Sequence, residues 1–402
     1  MEFDFIREHV NPDKTTKIVL LVLDGLGGLP MNPGGLTELE AASTPNLDAL
    51  AAQSICGLHE PVETGITPGS GPAHLGLFGY DPIKYQIGRG VLSALGIGFD
   101  LQEADVAARG NFCTLDAEGR VADRRAGRIS TEKSEELIGL LDQIELPNVE
   151  IFLEPVKDYR VLLVLRGENL GGDLSDTDPQ ETGVPPLEPQ SRSPSSDETG
   201  RLVEEFLNQT REVLADQKPA NMILLRGFSK LPDWPTLPQI YRLKAAAIAV
   251  YPMYRGVARL VGMEPLESDG TLDGEFKTLE EHWEDFDYFF VHVKPTDSAG
   301  EDGDFERKVK YIEETDAQIP RLLDLEPDVL IVTGDHSTPA KMKYHSWHPV
   351  PVLLWSKYCR PDGVKVFGER ACISGGLGPR IPVIDLMPLA MAHARRLEKF
   401  GA

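Results

Sequence analysis

The sequence has few cysteines, no long apolar run and comparatively few basic residues, and each shortage excludes a class of protein. Its four cysteines, Cys56, Cys113, Cys359 and Cys372, are too far apart for a CxxC metal or redox motif, so we predict reduced and mostly buried thiols. No stretch approaches the roughly 20 apolar residues that span a bilayer, and MEFDFIREHV lacks a basic segment followed by an apolar one. A cytoplasmic location without membrane contact is therefore expected.

Charge and composition limit the partners and the size of the fold. With 64 acidic against 40 basic residues, the formal net charge is −24, which disfavours nucleic acid and anionic lipid as partners. An anionic substrate would need a local cationic pocket or metal ions. The length of 402 residues, with 41% hydrophobic and 26% charged residues, favours a globular protein of two domains. The sequence leaves the oligomeric state open.

Apolar strands alternate with helices at both ends of the chain. The run KIVLLVLDG from Lys17 to Gly25 is typical of a buried parallel strand, and STPNLDALA begins like a capped helix. The runs YFFVHV, DVLIVT and VPVLLW predict three more strands, and the helix between the first two of these should be divided at Pro320. These features predict an α/β class with a mostly parallel sheet flanked by helices.

The middle of the chain has a different character. It contains turn-rich segments, the strand candidate DYRVLLVLRG, and a polar stretch from Ser175 to Gly200 that is rich in proline, serine and acidic residues and is predicted as exposed loop. We therefore predict a discontinuous domain of residues 1–103 and 244–402, with a smaller α+β domain of residues 104–243 inserted between its parts as a lid.

Residues able to bind metal follow the predicted strands. Asp24 ends the first strand, Asp297 follows YFFVHVKPT, and Asp335 with His336 follows DVLIVTG. Because the carboxyl ends of parallel strands form the ligand crevice of an open sheet, we expect these side chains to converge. Glu301 lies four residues after Asp297, so both would project from one face of a helix as oxygen ligands. A solvated acidic helix start explains that pair equally well.

Two further residues extend this pattern. His345 precedes the last strand and could join the same ligand shell, although a surface loop histidine is the ordinary alternative. Ser70 lies in TPGSGPAHLGLF, where glycines allow close approach to an anion and a helix begins. Its hydroxyl is either a helix cap or, beside a divalent cation, a nucleophile that attacks phosphorus. Together with the acidic residues and His336, the nucleophile is the favoured interpretation.

Seven segments, in their order along the chain, resemble the archaeal type of 2,3-bisphosphoglycerate-independent phosphoglycerate mutase, within the alkaline phosphatase superfamily: VLDGLGG, STPNLDALA, TPGSGPAHLGLFGYDP, DRRAGRI, KPTDSAGEDGD, TGDHSTP and HSWHPVPVLL. The resemblance implies an alkaline-phosphatase-like fold. It also implies interconversion of 3-phosphoglycerate and 2-phosphoglycerate through a phosphoserine, without 2,3-bisphosphoglycerate as cofactor.

The resemblance also implies roles for individual residues. Two divalent cations, Mn²⁺ or Mg²⁺ favoured and Zn²⁺ possible, would be held by two ligand groups: Asp24, Ser70, Asp335 and His336 for one, and Asp297, Glu301 and His345 for the other. Ser70 would be transiently phosphorylated. Lys244, in YRLKAAAIAVYP, resembles the lysine that assists the leaving oxygen, and a surface lysine is the ordinary alternative. His74 would either arrange the nucleophile loop or simply pack there.

One position departs from the family pattern. The family has Asp, three residues and His, whereas this chain has Asp297-Ser-Ala-Gly-Glu301. A carboxylate in place of an imidazole should shift metal preference toward Mg²⁺ or Mn²⁺ and away from Zn²⁺. The departure keeps other functions open: a metal-dependent phosphatase, a mutase-like homoserine kinase, or a degenerate relative without catalytic activity.

A lid that grips a carboxylate should present arginines, because the planar guanidinium matches carboxylate and phosphate oxygens. The candidates are Arg124, Arg125 and Arg128 in DRRAGRI, Arg160 in DYRVLL, and Arg226 in LLRGFS. Arg125, Arg128 and Arg160 are preferred as substrate-binding residues. For each of them an ordinary surface ion pair is the alternative.

Overall fold

A computed structural model describes residues 2–401 and shows a mixed α/β architecture. The strands, in chain order, are β1 (Ile18–Leu23), β2 (Ile55–Glu60), β3 (Val106–Leu115), β4 (Val121–Asp123), β5 (Glu150–Lys157), β6 (Arg160–Arg166), β7 (Met222–Ser229), β8 (Ala245–Ile248), β9 (Glu264–Leu266), β10 (Tyr288–Val293), β11 (Val329–Thr333), β12 (Val350–Ser356) and β13 (Gly378–Pro382). The helices are α1 (Phe3–His9), α2 (Glu38–Ala41), α3 (Pro45–Ala51), α4 (Ser70–Leu77), α5 (Arg89–Ile97), α6 (Thr131–Leu141), α7 (Asp197–Val213), α8 (Leu237–Tyr241), α9 (Pro252–Leu260), α10 (Leu272–Glu281), α11 (Pro295–Asp302), α12 (Phe305–Asp316), α13 (Ile319–Asp324), α14 (Glu369–Cys372) and α15 (Leu386–His393).

The chain divides into two compact units. Unit 1 comprises Met1–Gln86 and Pro235–Ala402, and unit 2 comprises Ile87–Trp234. Unit 2 begins before the predicted boundary at 103/104, because α5 packs against β3 and β7 of unit 2. It also ends before the predicted boundary at 243/244, because α8 packs against α1 of unit 1. Gly90 permits the close approach of α5, since a Cβ there would lie 2.1 Å from the Ala107 carbonyl oxygen. The lid role of unit 2 stays a prediction.

Unit 1 is built on an eight-stranded sheet in the order β13-β2-β12-β11-β1-β10-β8-β9. All strands run in the same direction except β12, which is antiparallel to both of its neighbours. This confirms the mostly parallel sheet and shows that VPVLLW is its exception. The segment between β11 and β12 is a loop rather than a crossover helix, so the chain turns back beside the strand it has just left.

The centre of this sheet is buried on both faces. Every residue of β1, β10 and β11 is buried, as their near-continuous apolar sequences predict for parallel strands covered by helices. Each buried Val, Leu or Phe side chain contributes about 1.5–3 kcal/mol, so these strands form a rigid base. The predicted division at Pro320 is confirmed, because α12 ends at Asp316 and α13 begins with Pro320 in its first turn.

Unit 2 has its own antiparallel sheet and core. Its strands pair in the order β4-β3-β6-β5, with β7 also paired to β3. Helix α6 packs against β5 and β6, and α7 packs against β7 and α6. The apolar face of α7 carries Val203, Phe206 and Leu207 into this core. An antiparallel sheet with helices packed on it is the α+β arrangement predicted for the middle of the chain.

The structure also bears on the cysteines and on membrane contact. All four cysteines are free, and Cys56, Cys113 and Cys372 are buried while Cys359 is half-buried. Among residues 2–401, no helix combines the length and the apolar character that crossing a membrane requires.

Candidate metal centre

The predicted ligands meet at the carboxyl ends of β1, β10 and β11. One ligand atom from each of Asp24, Asp335 and His336 lies within 4.8 Å of the other two, and all three residues are fully buried. We call these residues the first set. One ligand atom from each of Asp297, His336 and His345 also lies within 4.8 Å of the other two, and these residues form the second set. Because His336 belongs to both, the two sets adjoin.

The sheet explains this convergence. Strand β1 is parallel to β10 on one side and to β11 on the other, so the loops that follow the three strands leave the same edge. Asp24 is held at that edge by its main-chain N–H, which donates to the Val293 carbonyl at 3.0 Å. Asp297 lies in the first turn of α11, and Gly300 lets this helix approach the neighbouring loop, since a Cβ there would lie 2.2 Å from the Thr338 carbonyl oxygen.

Ser70 is the first residue of α4 and faces the first set. Its Oγ lies 3.2 Å from Nε2 of His336, and the residue is only half-buried. One turn later, His74 places Nδ1 2.8 Å from the Ser70 carbonyl oxygen and 3.3 Å from Oδ2 of Asp335. Burial lowers the pKa of His74 to about 4, so the ring is neutral and Nδ1–H donates. His74 thereby ties the start of α4 to the first set.

Glu301 and His345 lie at the outer side of the second set. His345 Nε2 is 3.6 Å from Oδ1 of Asp297 and 3.9 Å from Oε1 of Glu301. His345 Nδ1 lies 2.9 Å from the Pro68 carbonyl oxygen, which can only accept, so Nδ1 carries a proton and Nε2 is the ring nitrogen that faces the carboxylates. The Glu301 side chain is 54% exposed, and its pKa is raised by partial burial and by the Asp297 carboxylate.

The residues present fit divalent cations. Oδ1 of Asp24 is buried without a hydrogen-bond partner in the described part of the chain, which is costly unless a cation satisfies it. Oδ2 of Asp335 is buried beside two imidazole nitrogens, Nε2 of His336 at 3.1 Å and Nδ1 of His74 at 3.3 Å. The ammonium of Lys294 lies 3.0 Å from Oδ2 of Asp24 and donates to the Asp297 carboxylate, so this position already attracts positive charge. Carboxylate and imidazole ligands suit Mn²⁺, Mg²⁺ and Zn²⁺.

Charge coupling in the first set favours a protonated His336. Burial opposes the imidazolium, but the carboxylates of Asp335 and Asp24 outweigh it and raise the pKa of His336 to about 9. Burial also opposes ionisation of Asp24, yet the Lys294 ammonium holds the pKa of that carboxyl well below its usual range. At neutral pH a cation that binds Nε2 of His336 must therefore displace a proton.

Four residues that contact the predicted ligands were missed by sequence reasoning. The Tyr254 hydroxyl donates to Asp24, and Nε2 of His292 lies 3.3 Å from Oδ2 of the same carboxylate. Lys294 and Thr338 are the other two. Lys294 stands three residues before Asp297, and Thr338 lies within TGDHSTP, so both were inside recognised segments. A lysine or a threonine is common on a protein surface, so the residue types of Lys294 and Thr338 did not indicate contact with a predicted ligand.

The structure does not bring Lys244 to this cluster. Lys244 precedes β8, and its main-chain N–H donates to Oδ2 of Asp287, which precedes the parallel strand β10. Both residues therefore lie at the amino ends of the strands, on the edge opposite the ligands. The exposed side chain places Nζ 4.7 Å from the centre of the Phe286 ring. Nothing in this position supports the catalytic role predicted for Lys244, whereas Lys294 contacts the predicted ligands Asp24 and Asp297.

Two of the candidate arginines of unit 2 are paired with carboxylates. Arg124 makes a bidentate pair with the buried Asp178, with distances of 2.8 and 2.7 Å from Nε and Nη2. Arg226 Nε lies 3.3 Å from Asp176 and its Nη1 lies 3.6 Å from Asp178. Arg160 instead lies over the Tyr159 ring, with its guanidinium carbon 4.9 Å from the ring centre. The preference for Arg160 over Arg124 and Arg226 stays a prediction.

Arg125 and Arg128 are exposed on one tight turn of unit 2. The Asp123 carboxylate accepts from the main-chain N–H groups of Arg125 and Gly127 at 2.8 and 2.6 Å. Residues 126–128 all have positive φ, at 45°, 64° and 55°, a conformation that only the glycine adopts without strain. Strained turns often occur at ligand-binding positions. The substrate-binding role of Arg125, Arg128 and Arg160 stays a prediction.

Known proteins resemble the chain over nearly its whole length. A family profile described as 2,3-bisphosphoglycerate-independent phosphoglycerate mutase matches residues 51–221. A protein of Thermotoga sp. (strain RQ2), named a probable 2,3-bisphosphoglycerate-independent phosphoglycerate mutase, is 54% identical over 401 residues, which cover 99% of both chains. A Thermus thermophilus protein of the same name is 53% identical over 392 residues, which cover 96% of both.

Two solved structures are similar in fold and sequence. A Pyrococcus horikoshii protein has a TM-score of 0.84 and 34% identity, and the match covers 96% of this chain and 99% of that one. A cofactor-independent phosphoglycerate mutase from Thermoplasma acidophilum has a TM-score of 0.72 and 30% identity, with 94% of this chain and 100% of that one covered.

Proposed function

The chain belongs to the family of 2,3-bisphosphoglycerate-independent phosphoglycerate mutases, and we propose that the first and second sets are its active site, holding two divalent cations beside Ser70. Membership makes the chain a phosphoglycerate mutase, an isomerase that needs no bisphosphoglycerate. The observation that carries the proposal is the position of the Ser70 hydroxyl, 3.2 Å from Nε2 of a histidine shared by both sets.

Two groups of residues would hold the cations. Asp24, Ser70, Asp335 and His336 would hold one, and Asp297, Glu301 and His345 the other. Bound cations at such a site lower the pKa of a ligating hydroxyl and offset the negative charge of a phosphoryl group. Because the second group includes a carboxylate at Glu301, we propose Mn²⁺ or Mg²⁺ as its preferred ion.

Ser70 is the proposed nucleophile. Its Oγ loses its proton and bonds to phosphorus as the bond between phosphorus and the substrate oxygen breaks, and the departing glycerate oxygen takes up a proton. Glycerate then presents its other hydroxyl, and the reverse transfer regenerates Ser70. The amino end of α4 favours the added negative charge, because main-chain N–H groups in the first turn of a helix point outward along its axis.

Retention of glycerate requires that water be excluded while Ser70 is phosphorylated, since hydrolysis at that stage would make the enzyme a phosphatase. Closure by unit 2, with Arg125, Arg128 and Arg160 binding the substrate, is the predicted means of exclusion. A cytoplasmic location and the absence of nucleic-acid and membrane partners also stay predictions from the sequence.

A paired assay tests the proposal. Purified protein is incubated with 3-phosphoglycerate and Mn²⁺, and both 2-phosphoglycerate and inorganic phosphate are followed over time. We expect the isomer to form with little phosphate. Phosphate without isomer would identify a hydrolase, and neither product, together with no bound metal, would identify a relative without this activity. Parallel reactions with Mg²⁺ and Zn²⁺ establish which cations support the reaction.

Glu301 should set metal preference, and the variant Glu301→His tests this. Replacing the carboxylate by an imidazole removes a hard oxygen ligand, so we expect Zn²⁺ affinity to rise by about tenfold relative to Mn²⁺. Calorimetric titration of the metal-free protein with each ion measures the ratio of dissociation constants.

Glu306→His is the matched control for Glu301→His. Glu306 is an exposed carboxylate of α12, and its replacement makes the same change of charge without altering either group of proposed ligands. The ratio of Zn²⁺ to Mn²⁺ affinity should stay at the wild-type value in this control. An unchanged ratio in Glu301→His as well would show that Glu301 is not a ligand.

A further inference from the structure

Thr338 contacts a ligand of each set with one hydroxyl group. It lies in the loop after β11 and is fully buried. Its Oγ1 is 2.7 Å from Oδ1 of Asp297, which belongs to the second set, and 3.0 Å from Nδ1 of His336. No role was predicted for this residue, and it is not a member of either ligand set.

The direction of these two hydrogen bonds follows from the chemistry of the groups. An ionised carboxylate can only accept, so the single Thr338 proton is donated to Asp297. The Thr338 oxygen must then accept from His336, which places a proton on Nδ1 of that ring. Nε2, the atom that faces Ser70 and Oδ2 of Asp335 at 3.2 and 3.1 Å, is thereby the atom left for a metal.

We propose that Thr338 is a positioning residue that couples the two cation sites, orienting Asp297 for one and His336 for the other through a single hydroxyl. The inference rests on the proposed binding of cations by the two sets. Residues that hydrogen-bond to metal ligands fix the orientation of those ligands and raise affinity. One hydroxyl shared between two ligands transmits any displacement of one ligand to the other.

The surroundings hold the Thr338 hydroxyl in place. The main-chain N–H of Thr338 lies 3.2 Å from the Gly25 carbonyl and 3.0 Å from the Gly27 carbonyl, and its own carbonyl accepts from Nζ of Lys308 at 2.9 Å. Gly25 has φ +64°, and a Cβ there would lie 2.5 Å from Oγ1 of Thr338. Because Gly25 has no side chain, it leaves the space that the Thr338 hydroxyl occupies. A methyl group that replaces this hydroxyl would be equally confined.

Two substitutions separate the hydroxyl from the shape of the side chain. Thr338→Val replaces it by a methyl group of similar size, and Thr338→Ser keeps it. Mn²⁺ binding to metal-free protein is measured by calorimetry and by electron paramagnetic resonance. We expect Thr338→Val to raise both stepwise dissociation constants by about 10- to 100-fold, and Thr338→Ser to keep them close to wild type.

Thr296→Val is the matched control for a lost buried hydroxyl. Thr296 is also fully buried, and its Oγ1 donates to the main-chain carbonyl of Asp24 at 2.5 Å rather than to a ligand side chain. Its Mn²⁺ dissociation constants should change much less than those of Thr338→Val. Should Thr338→Val fail to fold, as judged by circular dichroism, Thr338→Ala takes its place in the same measurements.

A spectroscopic signature distinguishes positioning from general damage. In Mg²⁺-loaded protein labelled with nitrogen-15 histidine, we expect a slowly exchanging Nδ1–H resonance of His336 in wild type and Thr338→Ser. It should be lost or exchange rapidly in Thr338→Val, because the acceptor is gone. A merely structural role of Thr338 would leave this resonance in place.

The outcomes separate the inference from the proposed function. Wild-type protein that binds no Mn²⁺ would defeat the cation sites themselves and the inference with them. Wild-type binding of two equivalents, with unchanged affinities or with only one step weakened in Thr338→Val, would overturn the coupling alone. Weakening of both steps together with loss of the Nδ1–H resonance would support it.

Discussion

Replacing Ser70 by alanine should abolish isomerisation while leaving most metal binding intact. The variant lacks the oxygen to which the phosphoryl group is transferred, so kcat should fall by at least about 10³-fold. Mn²⁺ should still bind, because Asp24, Asp335 and His336 remain buried around the same point. The measurement is the initial rate of 2-phosphoglycerate formation beside a calorimetric Mn²⁺ titration. Mass spectrometry of acid-quenched wild type should find a phosphate on the peptide that contains Ser70.

Ser54→Ala is a suitable control for the Ser70 variant. Ser54 is buried in unit 1, and its hydroxyl donates to the Leu50 carbonyl at 2.7 Å. Its removal should leave kcat near the wild-type value, because no ligand depends on it. Retained isomerase activity in Ser70→Ala would show that the phosphoryl group passes through another residue. Loss of activity together with loss of Mn²⁺ binding would instead make Ser70 mainly a ligand.

The sequence was most informative where strands end. Asp24, Asp297 and Asp335 each follow an apolar run, and parallel pairing of those runs places the loops after them on one edge. That rule needs only the direction of the strands, so it could be applied without coordinates. The structure does bring these residues together with Ser70 and His345. Their roles as ligands and nucleophile stay predictions.

Lys244 shows where the same reasoning was not enough. Its segment was recognised by similarity, and AAAIAVYP was not identified as a strand, so the end of the sheet to which Lys244 belongs was unknown. The parallel register of Ala245 with Tyr288 places it at the amino end. Lys294 leaves the carboxyl end of β10 and touches Asp24. Lys244 precedes its strand and Lys294 follows its strand, and this difference explains why only the second of the two contacts Asp24.

Buried polar contacts were the other feature that composition could not reveal. The stretch from Ser175 to Gly200 was predicted as exposed loop, yet Asp178 within it is buried and holds Arg124 in a bidentate pair. A carboxylate is buried when a partner neutralises it, and that partner lies 54 residues away. Local sequence carries no signal of such a distant partner.

Lys308 is a buried cation that joins the loops of the candidate metal centre. It lies on α12, four residues before the buried Ile312, so it shares the apolar face of that helix. Its Nζ donates to the carbonyls of Gly25, Gly27 and Thr338 at 2.8, 3.0 and 2.9 Å. Burial lowers the pKa of Lys308, so the ammonium is retained at a cost that these three bonds offset.

Removing that ammonium should loosen both loops. In Lys308→Met the side chain still fills the space, but three buried carbonyls lose the ammonium as a donor. The Gly25 and Gly27 carbonyls keep the Thr338 main-chain N–H, whereas the Thr338 carbonyl loses its ammonium donor at about 1–3 kcal/mol if it finds no other partner. Relief of the buried charge offsets part of this loss. We expect the free energy of unfolding of unit 1 to fall by about 2 kcal/mol. Mn²⁺ affinity should fall by about tenfold, because the loops carry Asp24 and His336.

Denaturant unfolding of the metal-free variant and a Mn²⁺ titration measure the two effects of Lys308→Met. Lys310→Met, on the same helix, removes an exposed ammonium that lies 3.5 Å from Glu314 and should change stability by no more than about 0.5 kcal/mol. A Lys308→Met variant as stable as Lys310→Met would mean that the carbonyls find other donors at no cost. Lost stability with unchanged Mn²⁺ affinity would mean that the loops keep their ligands in place without Lys308. Both losses together would show that the order of the metal centre depends on a charge that never touches the metal ligands' side chains.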